Sequence, residues 1–186
     1  KPFSPRPHQA EALKAIRAVK RGQRGRVIMA CGTGKTMVQL WAHEQFKSTR
    51  TLVLVPSLFL VAQSIQEWTA NRRRPFAFLA VCSDDTVVAS ADSFFGNVSE
   101  IGIPVTTDPE RIRAFLEGDG DRVVFSTYQS SNRVAEALTG TPLRFELAVA
   151  DEAHQLAGNV SRDFAAVLDD ARIPADRRLF FTATPR

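Results

Sequence analysis

Met29-Ala30-Cys31-Gly32-Thr33-Gly34-Lys35-Thr36 is the stretch whose residue types and spacing could do chemistry most directly. Glycines at Gly32 and Gly34 let successive backbone N–H groups, with that of Thr33 between them, curl around a phosphate where a Cβ would clash. Lys35 can reach the β- and γ-phosphates of a nucleotide as a point charge, and the Thr36 hydroxyl can be placed on Mg2+. The general pattern asks for a further glycine five residues before Gly34, where this chain has Met29. The bland alternative is a glycine-rich turn with a surface lysine. The motif's place between an apolar run and a helical pattern argues against that alternative, because the phosphate loop needs a strand before it and a helix N-terminus after it.

A second chemical group is Asp151-Glu152-Ala153-His154, directly after the apolar run Leu147–Ala150. Nucleotide hydrolysis needs two carboxylates with different tasks. One holds Mg2+, directly or through water, and Asp151 is placed for that. The other orients or deprotonates the attacking water, and Glu152 is the candidate. Taken alone, the run reads as an acidic turn after a strand. Following a phosphate loop in this order, it reads as that loop's catalytic partner.

Alternating strands and helices would position these groups. The spacing predicts a helix over His8–Lys20, closed by Gly22 and Gly25, then a buried strand over Arg26–Ala30. A helix is expected from Lys35 to Phe46, a strand over Thr51–Val55 stopped by Pro56, a helix over Leu58–Thr69 and a strand over Phe76–Cys82. Residues 83–108 are rich in Ser, Asp, Thr and Gly without a clean period, and read as an extended loop or insertion. Asp108 and Pro109 look like the N-cap and first residue of a helix to Glu117, which Gly118-Asp119-Gly120 closes, with Thr106-Thr107 contributing to its cap. Strands over Arg122–Ser126, Leu147–Ala150 and Arg178–Phe181 follow, with helices over Gln129–Leu138 and Phe164–Asp169. Six strands apolar on both faces, alternating with helices, indicate an α/β fold with a mostly parallel central sheet covered on both faces. In such a sheet, ligands collect at the carboxyl ends of the strands, so both chemical groups should meet there.

Bulk properties narrow the class. The chain has 186 residues, enough for one domain with a sizeable core, and 44% apolar against 24% charged residues argues against disorder. The net charge of +4 is compatible with a polyanionic partner and by itself little more. Cys31 and Cys82 form no ligand pair, so a zinc site and a disulfide framework lack support. No apolar run reaches the length of a membrane span and no signal-peptide pattern opens the chain, so the default compartment is a reducing cytoplasm. The chain opens on Lys1 and stops just past an apolar run, and is read as a fragment of something longer.

Together these motifs resemble the DEAH-bearing superfamily 2 helicases and translocases, over nearly the whole chain. Arg6-Pro7-His8-Gln9 resembles the element upstream of the phosphate loop whose glutamine contacts adenine, and Gln9 matches it. Gly32–Thr36 matches motif I and Asp151–His154 motif II. Leu54-Val55-Pro56-Ser57 through Gln63 resembles motif Ia, which contacts the nucleic-acid backbone. Val124–Ser130 resembles the Thr-Tyr-Gln-Ser segment that precedes motif II, making Thr127 a further nucleic-acid candidate. Phe181-Thr182-Ala183-Thr184-Pro185 resembles motif III, which couples hydrolysis to strand movement; Thr182, Thr184 and His154 are the coupling candidates. The flavour of motif I and the Thr-Tyr-Gln-Ser segment resemble the branch with restriction-enzyme motor subunits and related DNA translocases.

The resemblance implies a RecA-like P-loop NTPase domain over residues 1–186, binding ATP and Mg2+, with nucleic acid as partner and DNA favoured over RNA. It also implies a second RecA-like domain of the same parent chain, absent from this sequence, that supplies motifs IV to VI with an arginine finger. A nuclease or specificity subunit would complete the machine. The isolated fragment is then expected to bind nucleotide and hydrolyse it poorly. Three readings compete with a DNA motor. An RNA-remodelling helicase shares the motifs. A P-loop kinase or metabolic ATPase needs a lid and an acceptor site and leaves Thr182–Pro185 unexplained. A non-hydrolysing clamp sits badly with Lys35, Thr36, Asp151 and Glu152 all in place. Elsewhere, Arg72-Arg73-Arg74 and Arg177-Arg178 read as solvated basic runs, Trp41 and Trp68 as core, and His8 and His43 as surface residues. Cys31 reads as a filler of a variable loop position.

Overall fold

The computed structural model describes residues 4–83, 103, 105–152 and 169–183. In chain order its elements are α1 (Pro7–Arg17), β1 (Gln23–Ile28), α2 (Lys35–Phe46), β2 (Arg50–Val55), α3 (Leu58–Asn71), β3 (Ala77–Val81), β4 (Val105–Thr106), α4 (Pro109–Glu117), β5 (Arg122–Thr127), α5 (Ser131–Leu138), β6 (Leu147–Ala150) and β7 (Arg177–Thr182). The strands form one sheet in the order β1-β7-β6-β2-β5-β3-β4, and each neighbouring pair is parallel. The expected α/β architecture is thus the one observed.

Side-chain alternation along the central strands explains how both faces are covered. In β2, Leu52 and Leu54 point to a core shared with Ile112 and Leu116 of α4 and Val134 and Leu138 of α5. Val53 and Val55 point the other way, to Leu40 of α2 and Val61, Ile65 and Trp68 of α3. A third cluster joins Ile16 of α1 and Trp41 of α2 to Leu147, Val149, Leu179 and Phe181. Both tryptophans are core, as their spacing predicted, and Trp68 is packed edge-on against Phe76 and Phe125.

Several sequence expectations are corrected. The first helix stops at Arg17 rather than Lys20, and the strand after it starts at Gln23, so Gly25 lies inside β1 instead of closing a helix. Its lack of a side chain is used there: a Cβ would stand 2.9 Å from Leu179 Cδ2 and 3.0 Å from Val19 Cγ2. Val105–Thr106, within the stretch read as a loop, adds a seventh strand against β3. The helix expected from Gln129 begins at Ser131. His43 is fully buried, with Nδ1 2.9 Å from Thr51 Oγ1 and its ring beside Trp68 and Phe76. Arg178 is buried too, because its guanidinium reaches Asp170 and the Ile173 carbonyl rather than solvent. The neighbouring Arg177 stacks over the Phe46 ring and donates to the Val19 carbonyl. The Asp108 cap holds as read: its side chain accepts from the Glu110 N–H, and Thr106 Oγ1 accepts from the Asp108 N–H.

Candidate functional site

Parallel strands end on the same side of a sheet, and here that places five separate sequence segments along one edge. The phosphate loop leaves β1, Thr182 ends β7, Asp151 and Glu152 follow β6, Pro56 and Ser57 follow β2, and Thr127 ends β5. These five strands are consecutive neighbours in the sheet, in the order β1-β7-β6-β2-β5, although the chain runs through them as β1, β2, β5, β6 and β7. Backbone pairing continues past the strand ends: the Met29 N–H donates to the Thr182 carbonyl at 2.9 Å and the Asp151 N–H to the Leu54 carbonyl at 2.8 Å.

In the loop, Gly32 and Gly34 both adopt left-handed backbone, with φ of 74° and 82°. Gly34 is also the N-cap of α2, so the loop delivers its N–H groups to the positive end of that helix. A side chain at Gly34 would run into Gln9 Nε2. Gln9 is buried and holds the loop: Nε2 donates to the Thr33 carbonyl at 3.0 Å, while Oε1 accepts from the Arg6 N–H at 2.8 Å. His8 Nε2 lies 3.2 Å from the same carbonyl. Thr33 Oγ1 donates to the Ala30 carbonyl at 2.6 Å, and Thr36 is half-buried in the first turn of α2. Beside the loop, a cleft of about 470 Å³ opens between α1, at His8 and Glu11, and the end of β1, at Arg26 and Ile28. Its size is ordinary for a small-molecule site.

Lys35 and Glu152 form an ion pair across the site and are both largely buried. Glu152 has a left-handed backbone with φ of 50°, a conformation that costs a non-glycine residue about 1 kcal/mol or more and is found preferentially at functional sites. Its N–H donates to Asp151 Oδ1 at 2.9 Å. Burial pushes the Asp151 carboxyl above its ordinary pKa. The Gln39 amide beside it, the Glu152 N–H and the Lys35 charge oppose that rise, and the Glu152 charge adds to it. Tyr128 donates its hydroxyl to the Asp151 carbonyl at 2.6 Å, and burial with the two nearby carboxylates holds that phenol well above the usual value. The acidic turn is therefore fixed from β2, β5 and α2 at once.

The remaining candidates are spread along the same edge. Ser57 is the N-cap of α3, accepting from the Leu60 N–H at 3.4 Å, and Pro56 is half-buried beside it. Gln63 is exposed and donates to Glu67. Thr127 is fully buried, and its hydroxyl accepts from the Ser130 N–H at 3.4 Å in the turn before α5. Thr182 is buried at the end of β7. His154, Thr184 and the expected helix from Phe164, apart from its last residue, lie outside the described residues, as do residues 84–102 and 104 of the expected loop.

Two site residues escaped the sequence reading. In the sequence Tyr128 is only one residue of the Val124–Ser130 segment; its contact with Asp151 depends on β5 and β6 flanking β2, which no local pattern reveals. Gln39 is the other. It falls four residues after Lys35 in α2, one turn along the same face, amid Val38, Leu40 and Trp41. A lone polar residue on a helix that is otherwise buried at that level was the available signal. Among the described residues neither of its carboxamide atoms has a hydrogen-bond partner, although both are buried. Such a group costs roughly 1–3 kcal/mol.

The groups assembled here suit a phosphate-bearing ligand and a hard cation. Among the described residues no three His, Cys, Asp or Glu side chains gather into a cage. Mg2+ is usually held by one or two protein oxygens together with phosphates and water. Thr36, in the first turn of α2, and Asp151, after β6, each offer a side-chain oxygen at this edge.

Comparison with known proteins agrees. A family model described as "Type III restriction enzyme, res subunit" matches residues 2–186. A probable helicase of African swine fever virus is 30% identical over 182 residues, covering 96% of this chain and 19% of the viral protein. The ATP-dependent Type ISP restriction-modification enzyme LlaBIII, solved bound to DNA, is similar over 100% of this chain and 13% of its own, with 30% identity and a TM-score of 0.81. A nuclease-deletion mutant of the Type ISP enzyme LlaGI, solved with a DNA substrate mimic, matches 99% of this chain and 18% of its own, with 30% identity and a TM-score of 0.74. The chain thus spans less than a fifth of the length of these relatives. A phosphate loop, its acidic partner and the family match together lead to one conclusion: this chain belongs to the Type III restriction enzyme res subunit family and has the RecA-like fold of helicase cores.

Proposed function

We propose that this domain binds Mg-ATP and is one half of an ATP-driven motor that moves along DNA. The observation that carries the reading is the meeting of Lys35 with Glu152 at the sheet edge where the phosphate loop, Thr182 and Pro56-Ser57 also emerge. Lys35 and the loop N–H groups take the β- and γ-phosphates, which draws Lys35 away from Glu152. The carboxylate so released orients the attacking water and receives its proton. Mg2+, when bound through Thr36 and Asp151, neutralises charge on the phosphates. Gln9 stabilises the loop from the adenine side, with the cleft beside β1 receiving the base.

In this reading Pro56, Ser57, Gln63 and Thr127 belong to the surface that follows a nucleic-acid backbone, Gln63 reaching it directly and Thr127 by shaping its turn. Thr182, Thr184 and His154 couple hydrolysis to movement. A second RecA-like domain closes over the nucleotide and contributes an arginine finger, and a nuclease or specificity subunit directs the motor. No helix among the described residues is long and apolar enough to cross a membrane, and the cytoplasm, where DNA is accessible, is the proposed compartment. DNA is preferred to RNA because both Type ISP relatives were solved with DNA or a mimic of it.

ATP turnover by the protein at its full natural length tests the proposal, measured with duplex DNA, single-stranded DNA, single-stranded RNA and no polymer. Strong stimulation by duplex DNA is expected. Preference for RNA would move the domain to an RNA-remodelling role, and turnover indifferent to every polymer would end the motor reading.

A further inference from the structure

Gln39 has no assigned part in nucleotide chemistry, yet it is the polar group whose position is hardest to explain without a ligand. It is wholly buried and lies one helical turn beyond Lys35, whose ammonium pairs with Glu152. Both carboxamide atoms lack a hydrogen-bond partner among the described residues. A glutamine kept only to fill space would be replaced by leucine or methionine with a gain in stability, since buried amides are tolerated when they are bonded. The Asp151 carboxylate is near enough for the Gln39 amide to favour its charged form, although neither carboxamide atom reaches it in hydrogen-bond geometry.

Everything else about Asp151 is already held. Its N–H is tied to Leu54, its carbonyl accepts from Tyr128, and Oδ1 accepts from the Glu152 N–H. The Gln39 amide is the side-chain donor that has not closed onto this carboxylate. Resting on the Mg-ATP reading above, we propose that Gln39 is a positioning residue of the cation site, completing its hydrogen bonds only when a cation–nucleotide complex is bound. Nε2 then donates to the Asp151 carboxylate and Oε1 accepts from a water of the cation's shell. Outer partners of this kind fix the direction of a ligating carboxylate and tune the affinity for the metal rather than for the nucleotide.

The prediction separates metal from nucleotide. A fluorescent ADP analogue is titrated into the full-length protein at a series of Mg2+ concentrations and in EDTA. In Gln39→Leu the half-saturating Mg2+ concentration should rise by about tenfold, while affinity in EDTA stays within about twofold of wild type. The nucleotide-free variant should also melt at a higher temperature, an outcome that a stabilising core role would reverse. Gln39→Asn, which keeps the amide but shortens its reach, should shift Mg2+ dependence in the same direction and provides the test if Gln39→Leu fails to fold. Unchanged Mg2+ dependence in both variants would overturn the role of Gln39 and leave the nucleotide site standing. A wild-type protein whose analogue binding ignores Mg2+ altogether would overturn the cation-site reading beneath it.

Discussion

The two ends of the sheet treat charge in opposite ways. At the amino ends of the strands, charged groups find partners within the domain. Arg178 meets Asp170, which also meets Arg24 at 3.2 Å. Asp176 is flanked by Arg21 at 3.3 Å and Arg144 at 2.7 Å, and Arg74 meets Asp121 at 2.7 Å. Glu146 accepts from both the N–H and the hydroxyl of Thr49. At the carboxyl ends, Lys35 and Glu152 lean on each other across the place a phosphate would take, Asp151 is held against the pull of burial, and Gln39 is unmatched. The first end is finished and serves stability. The second gathers groups that suit a phosphate-bearing ligand.

Changes at the two ends should therefore fail in different assays. Glu152→Gln should have the largest effect, lowering phosphate release by the full-length protein about 10²- to 10⁴-fold while analogue binding persists. Lost binding would show that Glu152 shapes the site rather than serving its chemistry. Acid comes next, through His43, which lies toward the far end of α2 from the loop. Burial, with the Arg74 charge adding to it, lowers its pKa from 6.5 to about 4. A depressed histidine stabilises the fold fully above its unfolded pKa, so about 3 kcal/mol should be lost as pH falls from about 6.5 to 4. Urea unfolding at several pH values in wild type and His43→Gln would show it, as a drop through that window that the variant lacks.

Arg178→Met should cost about 2 kcal/mol in the same unfolding assay by removing the donor to Ile173 and Asp170, with nucleotide affinity unchanged. An altered affinity would mean that the two ends communicate. The smallest effect has the opposite sign: Gln39→Leu should stabilise the empty protein by about 1 kcal/mol, because an unmatched amide is replaced by an apolar group of similar size. A loss of stability there would erase the contrast between the ends.

Residues whose meaning is local were readable in advance. Gly32 and Gly34 announce a tight loop, Asp108-Pro109 a helix start, and runs such as Leu52–Val55 a strand buried on both faces. Residues whose meaning depends on distant packing were not. His43 was read as surface because nothing in its flanks shows that Trp68 and Phe76 will enclose it. Arg178 reads as solvated because nothing in its immediate flanks shows that the turn before β7 will fold back and bring Asp170, eight residues earlier, onto its guanidinium. Gly25 looked like a helix stop because the closeness of Leu179 is a property of the sheet. The two residues of β4 are too few to show any period. The same reason hid Tyr128 and Gln39, whereas the phosphate loop and Asp151-Glu152 each carry their chemistry in consecutive residues.

The strand that bears the phosphate loop has a consequence for how the molecule is made. Among the described strands β1 pairs with β7 alone, so the first of them is secured by the last. Val19 and Arg177, bonded to each other where that pair begins, are 158 residues apart. During synthesis the loop would emerge early and wait, attached through α1 and α2 but without its strand in the sheet, until almost the whole domain had left the ribosome. Contacts this distant in sequence form slowly and late. Nucleotide binding would then report that the domain has finished folding, and a nascent chain halted before Arg177 should not retain ATP.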